Sequence, residues 1–452
     1  MKIIIAGDGK VGLTLTRKLS AEGHDITLID SNPSVLEASM ERYDVMAVQG
    51  NCVTVDVLEQ AEVKKADLLI AATSADEINL LCCMTAHALN NNLHTIARIR
   101  NPEYDNQIYT MRNLFALSLT VNPERQAARE IERIIKYPGF IRRETFAKGR
   151  IEIVELRIDK GSKLDGVSLM ELNSIVKCKV LVCAVKREGK VEIPKGGYEL
   201  KEGDKILVTA PTDELTVMLK NLGIITHKVK KVILCGGGRV AYYLAERLSK
   251  SGIAVHLIEK DRERCEELAN KLPNVSVING DASSQSLLES EGLTDCHALV
   301  SMTGLDELNM VISLYGKKRN IQHVITKVGH TGNNDIMDSL ALDSIICPKE
   351  LCCDTIVRYI RAVKNTTGAA LTVHAIAGGK AEALEFRVDE KTMNCGIPLK
   401  ELKLKENVLI TCITHGRVTI IPNGDSCINV GDTVIVVVAG DKIIEQLNDI
   451  FL

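Results

Sequence analysis

Two glycine-rich turns carry the residue types and spacing on which chemistry could be built. The first, Gly7-Asp8-Gly9-Lys10-Val11-Gly12, follows the apolar run Ile3-Ile4-Ile5-Ala6, and Asp30 stands 23 positions after Gly7. The second, Gly236-Gly237-Gly238-Arg239-Val240-Ala241, follows Val232-Ile233-Leu234-Cys235, and Glu259 stands 23 positions after Gly236. In such a turn the first glycine permits a tight bend, the second lets the backbone approach a pyrophosphate, and the third packs helix on strand. Amides left unbonded at the following helix N-terminus meet the phosphates, while the acid accepts hydrogen bonds from the adenosine ribose. A carboxylate at Asp30 repels a 2′-phosphate, which favours NAD over NADP. ADP and ATP carry the same ribose, so the residue type does not choose between a dinucleotide and an adenine nucleotide. Asp8 brings a charge near the phosphates; either Lys10 offsets it or the side chain points outward.

Further candidates end two later strands. Thr73-Ser74 closes the fourth expected strand and Arg98 the fifth, where the crevice of an open α/β sheet lies. Hydroxyls and a guanidinium there would meet a ligand; the competing reading makes Thr73 and Ser74 a helix cap and Arg98 an ion-pair partner. Lys327 takes the place of Arg98 in the second copy.

The elements that position these residues alternate between strand and helix. Val11, Leu15 and Leu19 share one helical face, and the helix stops near Gly23. Asp25 to Ile29 is the second strand, Ser31-Asn32-Pro33 opens a helix with a cap residue ahead of proline, and Val45 to Val48 is the third strand. A helix from about Val53 to Ala61 precedes the apolar run Leu68 to Ala72, and helix Ala75 to Asn90 leads to strand Thr95 to Ile99. This rhythm predicts a parallel, doubly wound sheet. After a helix from Glu124 to Ile135 and the turn Pro138-Gly139, the segments become short and β-branched: Ile151 to Ile158, Val180 to Val185, Val191 to Ile193 and Lys205 to Thr209. They predict a small α+β domain, followed by helix Asp213 to Leu222 and the basic linker Lys228-Val229-Lys230-Lys231.

The remainder repeats the first half. Asp76-Glu77-Ile78-Asn79 is matched by Asp306-Glu307-Leu308-Asn309 and Thr73 by Thr303, all 230 positions apart. In the small domains, Gly203-Asp204 is matched by Gly431-Asp432, 228 positions apart. The chain is a tandem duplication of a two-domain unit.

Composition narrows the function classes. At 452 residues the chain exceeds one ordinary core. A formal charge of −3 and the absence of Trp argue against nucleic-acid partners. The early first strand leaves no room for a secretory leader, and no apolar run approaches the ~18 residues of a membrane span, so a cytosolic location is expected. The 14 cysteines form no Cys-x-x-Cys pair, and the doublets Cys82-Cys83 and Cys352-Cys353 fall in expected helices, which predicts reduced, buried thiols and no metal site. A dehydrogenase needs an acid or base beside the hydride, yet the sequence holds no Tyr-x-x-x-Lys, no metal-ligand spacing and no Gly-x-Ser-x-Gly.

On Gly7, Gly9, Gly12 and Asp30, the stretch Ala72 to Asn79 with its repeat at Thr303 to Asn309, Gly280-Asp281, and the Gly-Asp strands of the small domains, the whole chain resembles the cytosolic regulatory subunits of Trk-type potassium uptake systems, the TrkA family, built from tandem KTN/RCK domains. The resemblance implies two Rossmann-like domains, at 1–136 and 228–364, each followed by a small RCK C-terminal domain, at 137–227 and 365–452. It implies that Gly7 to Val11, Asp30, Thr73, Ser74 and Arg98 line a first nucleotide site, and Gly236 to Val240 with Glu259 a second. Their ligands would be NAD or NADH, or ADP or ATP. It further implies a homo-oligomeric ring, expected as a tetramer, on the inner face of the cell membrane, gating a Trk-type potassium channel subunit without catalysis. The alternative reading is an NAD-dependent oxidoreductase of duplicated design.

Overall fold

Ile3 to Ala6 and Leu68 to Ala71, apolar runs of four residues that lead to Gly7 and to Thr73-Ser74, become parallel strands buried on both faces. In the computed structural model the described residues are 1–104, 107–108, 112–136, 142–146, 150–223, 229–329, 342, 344–364, 370–377, 380–416, 418–440, 444 and 446–452. The expected turn at Pro138-Gly139 and the linker residue Lys228 lie outside them. In the first copy the order is β1 (Lys2–Ala6), α1 (Lys10–Ala21), β2 (Asp25–Asp30), α2 (Pro33–Met40), β3 (Met46–Gln49), α3 (Val55–Gln60), β4 (Leu68–Ala71), α4 (Asp76–Leu89), β5 (His94–Arg98), β6 (Leu119–Val121) and α5 (Pro123–Lys136). The sheet runs β3-β2-β1-β4-β5-β6, all parallel. This is the doubly wound Rossmann order, whose direction of winding reverses between β1 and β4. Val11, Leu15 and Leu19 of α1 are buried as their spacing predicts, and the Asn32 side chain caps α2 by accepting from Ser34 N at 3.1 Å. The three-residue sixth strand, β6, was not expected from the sequence.

The first small domain contributes β7 (Arg142–Phe146), β8 (Ile151–Arg157), α6 (Leu169–Val176), β9 (Leu181–Arg187), β10 (Lys190–Glu192), β11 (Lys205–Pro211) and α7 (Thr212–Leu222). Its sheet is antiparallel, in the order β10-β9-β11-β8-β7.

The second copy repeats the pattern with β12 (Lys231–Cys235), α8 (Arg239–Lys250), β13 (Ala254–Glu259), α9 (Arg262–Lys271), β14 (Ser276–Asn279), α10 (Gln285–Ser290), β15 (Ala298–Ser301), α11 (Asp306–Lys318), β16 (His323–Lys327), β17 (Ser344–Ile346) and α12 (Pro348–Lys364). Its parallel sheet has the same order, β14-β13-β12-β15-β16-β17. The last sheet comprises β18 (Thr372–Ile376), β19 (Ala381–Arg387), β20 (Val408–His415), β21 (Val418–Ile420) and β22 (Thr433–Ala439), ordered β18-β19-β22-β20-β21. Where the first small domain has α6 and α7, the second has only the 3-10 turns Leu399–Glu401 and Leu447–Ile450 among the described residues.

Like packs with like. Met1–Glu132 and Val229–Val357 form one compact unit, holding both parallel sheets; Arg133–Lys228 and Arg358–Leu452 form the other, holding both antiparallel ones. In the first unit the two copies grip each other reciprocally. Lys18 of α1 pairs with Glu350 and Asp354 of α12 at 2.8 and 2.5 Å, and Arg247 of α8 pairs with Glu132 of α5. In the second unit Phe146, Cys183 and Leu207 share a core with Ile376, Cys412 and Val437. All 14 cysteines are free, and both doublets are buried in their helices. Among the described residues no helix is long and apolar enough to cross a membrane.

Candidate functional site

Each residue of the first turn meets a different constraint. Gly7 has φ +96°, and a Cβ there would lie 2.8 Å from the Thr73 amide nitrogen; a Cβ on Gly12 would lie 2.1 Å from the Gly7 carbonyl oxygen. Both positions therefore exclude side chains for internal reasons. Gly9 is different, because a Cβ there meets nothing within 4 Å among the described residues. Gly9 is the N-cap of α1 and offers no side-chain acceptor, so the first-turn amides face open space at the positive end of the helix. A phosphate fits that cradle.

Asp8 takes neither of its expected orientations. It is buried, and the Ser39 hydroxyl of α2 donates to its Oδ2 at 2.5 Å; Lys10 is exposed and not its partner. Burial raises its carboxyl above the ordinary value; the Ser39 bond opposes the rise and the nearby Asp30 charge adds to it. The charge is thus tucked behind the turn. Asp30 accepts from Asp8 N at 2.8 Å and from Asn32 N at 2.9 Å, so each oxygen holds one amide and keeps a lone pair for a ribose hydroxyl.

Thr73 and Arg98 are drawn together by Asn79, a buried residue of α4. Its Oδ1 accepts from Thr73 N and Oγ1 at 2.8 and 2.7 Å, and its Nδ2 donates to Arg98 O at 2.8 Å. The hydroxyl proton of Thr73 is committed to this latch and caps no helix. Asn309 makes the same latch to Thr303 and Lys327 in the second copy. The half-buried Arg98 guanidinium donates to Thr73 O; burial first, then Arg100, lowers its pKa. Ser74 is exposed and looks onto a cavity of about 500 Å³, which Arg100 lines in place of Arg98. Arg239 and Tyr242 from the start of α8, and Arg264 and Lys271 from α9, close the opposite wall.

The second turn has the same frame with different contents. Gly236 has φ +105°, Glu259 accepts from Gly237 N at 2.5 Å and from Lys260 and Asp261 amides, and Gly238 faces open space. Val240 and Ala241 are buried. Where the first copy sets Ser39 against Asp8, the second sets Leu268 against Gly237. Arg264 also donates to Gly237 O at 2.8 Å, a contact absent from the first copy, which has Val35 there.

Sequence reasoning missed Asn79 as a latch, Arg100, Tyr242 and Arg264. The repetition of Asn79 as Asn309 was the available signal for the latch, and the replacement of Leu13 by Tyr242 marked a divergence between the copies.

The TrkA-N domain model matches residues 3–117 and 232–348, and the TrkA-C domain model matches 153–223 and 383–451. The chain is 32% identical over 444 residues to Trk system potassium uptake protein TrkA homolog 1 of Methanosarcina mazei, covering 96% of this chain and 97% of the relative. It is 31% identical over 460 residues to Trk system potassium uptake protein TrkA of Haemophilus influenzae, covering 100% and 98%. Among solved structures, the GsuK RCK domain superposes with a TM-score of 0.65 at 17% identity, over 97% of this chain and 92% of that one. The GsuK channel bound to NAD gives 0.64 at 17% identity, over 97% and 76%. Two doubly wound domains alternating in sequence with two small antiparallel ones, matched end to end by these relatives, place the chain in the TrkA family of Trk potassium uptake proteins.

Proposed function

We propose that this chain is the nucleotide-binding regulatory subunit of a Trk-type potassium uptake system, divided at 1–136, 137–227, 228–364 and 365–452. The observation that carries the reading is the open cradle at Gly9, backed by unbonded helix amides and bordered by Asp30. In this reading the amides of Gly9 to Val11 hold the phosphates, Asp30 holds the adenosine ribose, and Thr73 and Ser74 border the rest of the ligand. Gly236 to Val240 and Glu259 do the same in the second copy. NAD or NADH, ADP and ATP all satisfy those contacts, and relatives named for potassium uptake together with an NAD-bound channel of the same fold support the choice.

The mechanism is coupling rather than turnover. A nucleotide that fits two arrangements of the paired Rossmann domains unequally shifts their equilibrium by its difference in affinity, typically ~1–3 kcal/mol. Subunits assembled as a homo-oligomeric ring on the cytoplasmic face of the membrane pass that shift to the channel subunit. Salt bridges between the copies, Lys18 to Glu350 and Arg247 to Glu132, tie the helix that begins at each glycine turn to the other copy. Co-purification with the host's Trk-type membrane subunit, with and without NAD, NADH, ADP and ATP, tests partner and ligand together. Nucleotide-sensitive retention is expected. Failure to retain the subunit under every condition, or a steady absorbance change at 340 nm with NAD and a substrate, would count against this reading.

A further inference from the structure

We propose that Tyr242 makes the first nucleotide site selective for a dinucleotide, its ring packing against the nicotinamide riboside half of NAD(H), a contact ADP lacks. The inference rests on the first turn being a nucleotide site.

The path of the ligand follows from the sheet. With phosphates on α1 and ribose on Asp30 of β2, the adenosine lies over the β2 side, and whatever follows the second phosphate crosses to β4 and β5. The cavity begins on that side, at Ser74, one residue past Thr73, whose amide nitrogen lies 2.8 Å from the Cβ position of Gly7. From the second copy the cavity takes Arg239, which directly follows Gly238 of the second turn, and Tyr242, Arg264, Glu267 and Lys271 of α8 and α9, but nothing past the ends of β15 and β16. The residues past the ends of β4 and β5, Ser74 to Glu77 and Arg100 to Glu103, make it the outer edge of the first crevice, with the start of α8 and α9 as its far wall. At about 500 Å³ it has the size of a small-molecule site.

Tyr242 is the aromatic residue in that wall. It is half-exposed, and its hydroxyl makes no hydrogen bond among the described residues. Its ring meets Tyr243 edge-on, with centroids 5.6 Å apart at 69°. Tyr243 is buried, and its hydroxyl accepts from Asn122 Nδ2 at 3.0 Å and donates to Arg100 O at 3.1 Å, both in the first copy. Tyr242 is thus held in place by a neighbour anchored to the copy whose crevice it faces. In a chain with no Trp, five Phe and nine Tyr, a half-exposed ring in a charged cavity has no core to fill. The four acids and four bases lining the cavity balance, and several pair with each other: Lys271 with Glu103 and Glu267, Arg264 with Glu267. That balance suits a riboside and an aromatic ring better than added phosphates. Leu13 occupies the corresponding position in the first copy, so the second site lacks the ring.

Calorimetric titration of the full chain with NADH and with ADP tests the assignment, using Tyr242→Leu, which installs the first-copy residue, and Tyr242→Phe. Tyr242→Leu is expected to weaken the Asp30-dependent NADH binding about tenfold, within the range of base–aromatic stacking, and ADP less than about twofold. Tyr242→Phe should retain both affinities within about twofold, because the ring and not the hydroxyl makes the contact. Asp30→Ala is titrated in parallel. If it leaves both ligands unchanged, the reading of the first turn fails. If it weakens both while Tyr242→Leu shifts NADH and ADP equally, or neither, the selectivity role of Tyr242 is overturned.

Discussion

Gly9→Ala separates the needs of the fold from the needs of a ligand. Gly9 has φ −75° and ψ −163°, an extended conformation open to any residue, and its built Cβ meets nothing within 4 Å. Alanine there reduces the freedom of the unfolded chain, worth ~0.4–1 kcal/mol, while being a poorer N-cap than glycine by a similar amount. The two terms offset, so the melting temperature should stay within about 4 °C of the parent. A phosphate against the Gly9 to Val11 amides would instead meet the new methyl group. Losing two charge-assisted hydrogen bonds at ~1.5–3 kcal/mol each weakens binding by ~3–6 kcal/mol, a hundredfold or more. Differential scanning fluorimetry without nucleotide and calorimetry with NADH and ADP read the two effects separately. Unchanged affinity at unchanged stability would refute the phosphate cradle, since among the described residues no atom lies within 4 Å of the new methyl group.

Gly12→Ala should behave oppositely: its Cβ would lie 2.1 Å from the Gly7 carbonyl oxygen, so stability should fall by ~2 kcal/mol or more in urea denaturation before any ligand is added. Tyr243→Phe leaves Asn122 Nδ2 and Arg100 O without their partner and should cost ~1–3 kcal/mol, read as a lower melting temperature. Because burial raises the Asp8 carboxyl in the fold, its contribution is full below the ordinary value of 3.8 and lost as pH rises through the raised one. Asp8→Asn should therefore melt higher than the parent at pH 7, with the gap closing as the pH is lowered towards 4. In the first small domain Arg187 holds both oxygens of buried Asp204 at 2.7 Å. Burial alone would raise that carboxyl, but the Arg187 hydrogen bonds, aided by the Lys201 amide, hold it below its ordinary value. Arg187→Ala should cost ~2–3 kcal/mol at pH 7, and the difference should vanish as the pH falls through the depressed native value.

The doubly wound sheets were legible because buried parallel strands read as unbroken apolar runs, and because Asn32-Pro33 and Gly23 punctuate helices by local chemistry alone. The duplication was legible because Thr73, Asp76 and Asn79 recur at one offset. Interactions made across the chain were not. Asp8 looks like a misplaced charge until Ser39, 31 positions away, is seen to bind it. Arg98 and Arg100 both leave the same strand end, and only the packing of Asn79 and Thr73 decides that the first turns inward and the second lines the cavity. Helix α6, eight residues in a strand-rich stretch, and β6, three residues long, are too short for periodicity to declare. The packing of one Rossmann copy on the other rests on pairs such as Lys18 with Asp354, for which sequence spacing carries no signal.

Potassium flux decides the central claim most directly. The host's Trk-type membrane subunit is reconstituted into liposomes with and without this protein, and radioactive rubidium uptake is followed while NAD, NADH, ADP or ATP is supplied on the side exposing the cytoplasmic face. At least one nucleotide should change uptake several-fold, the scale of a ~1–3 kcal/mol coupling, and only when the protein is present. The Gly9→Ala variant should bind the membrane subunit yet lose that response. Uptake that is the same with and without the protein, for every nucleotide, would contradict the account.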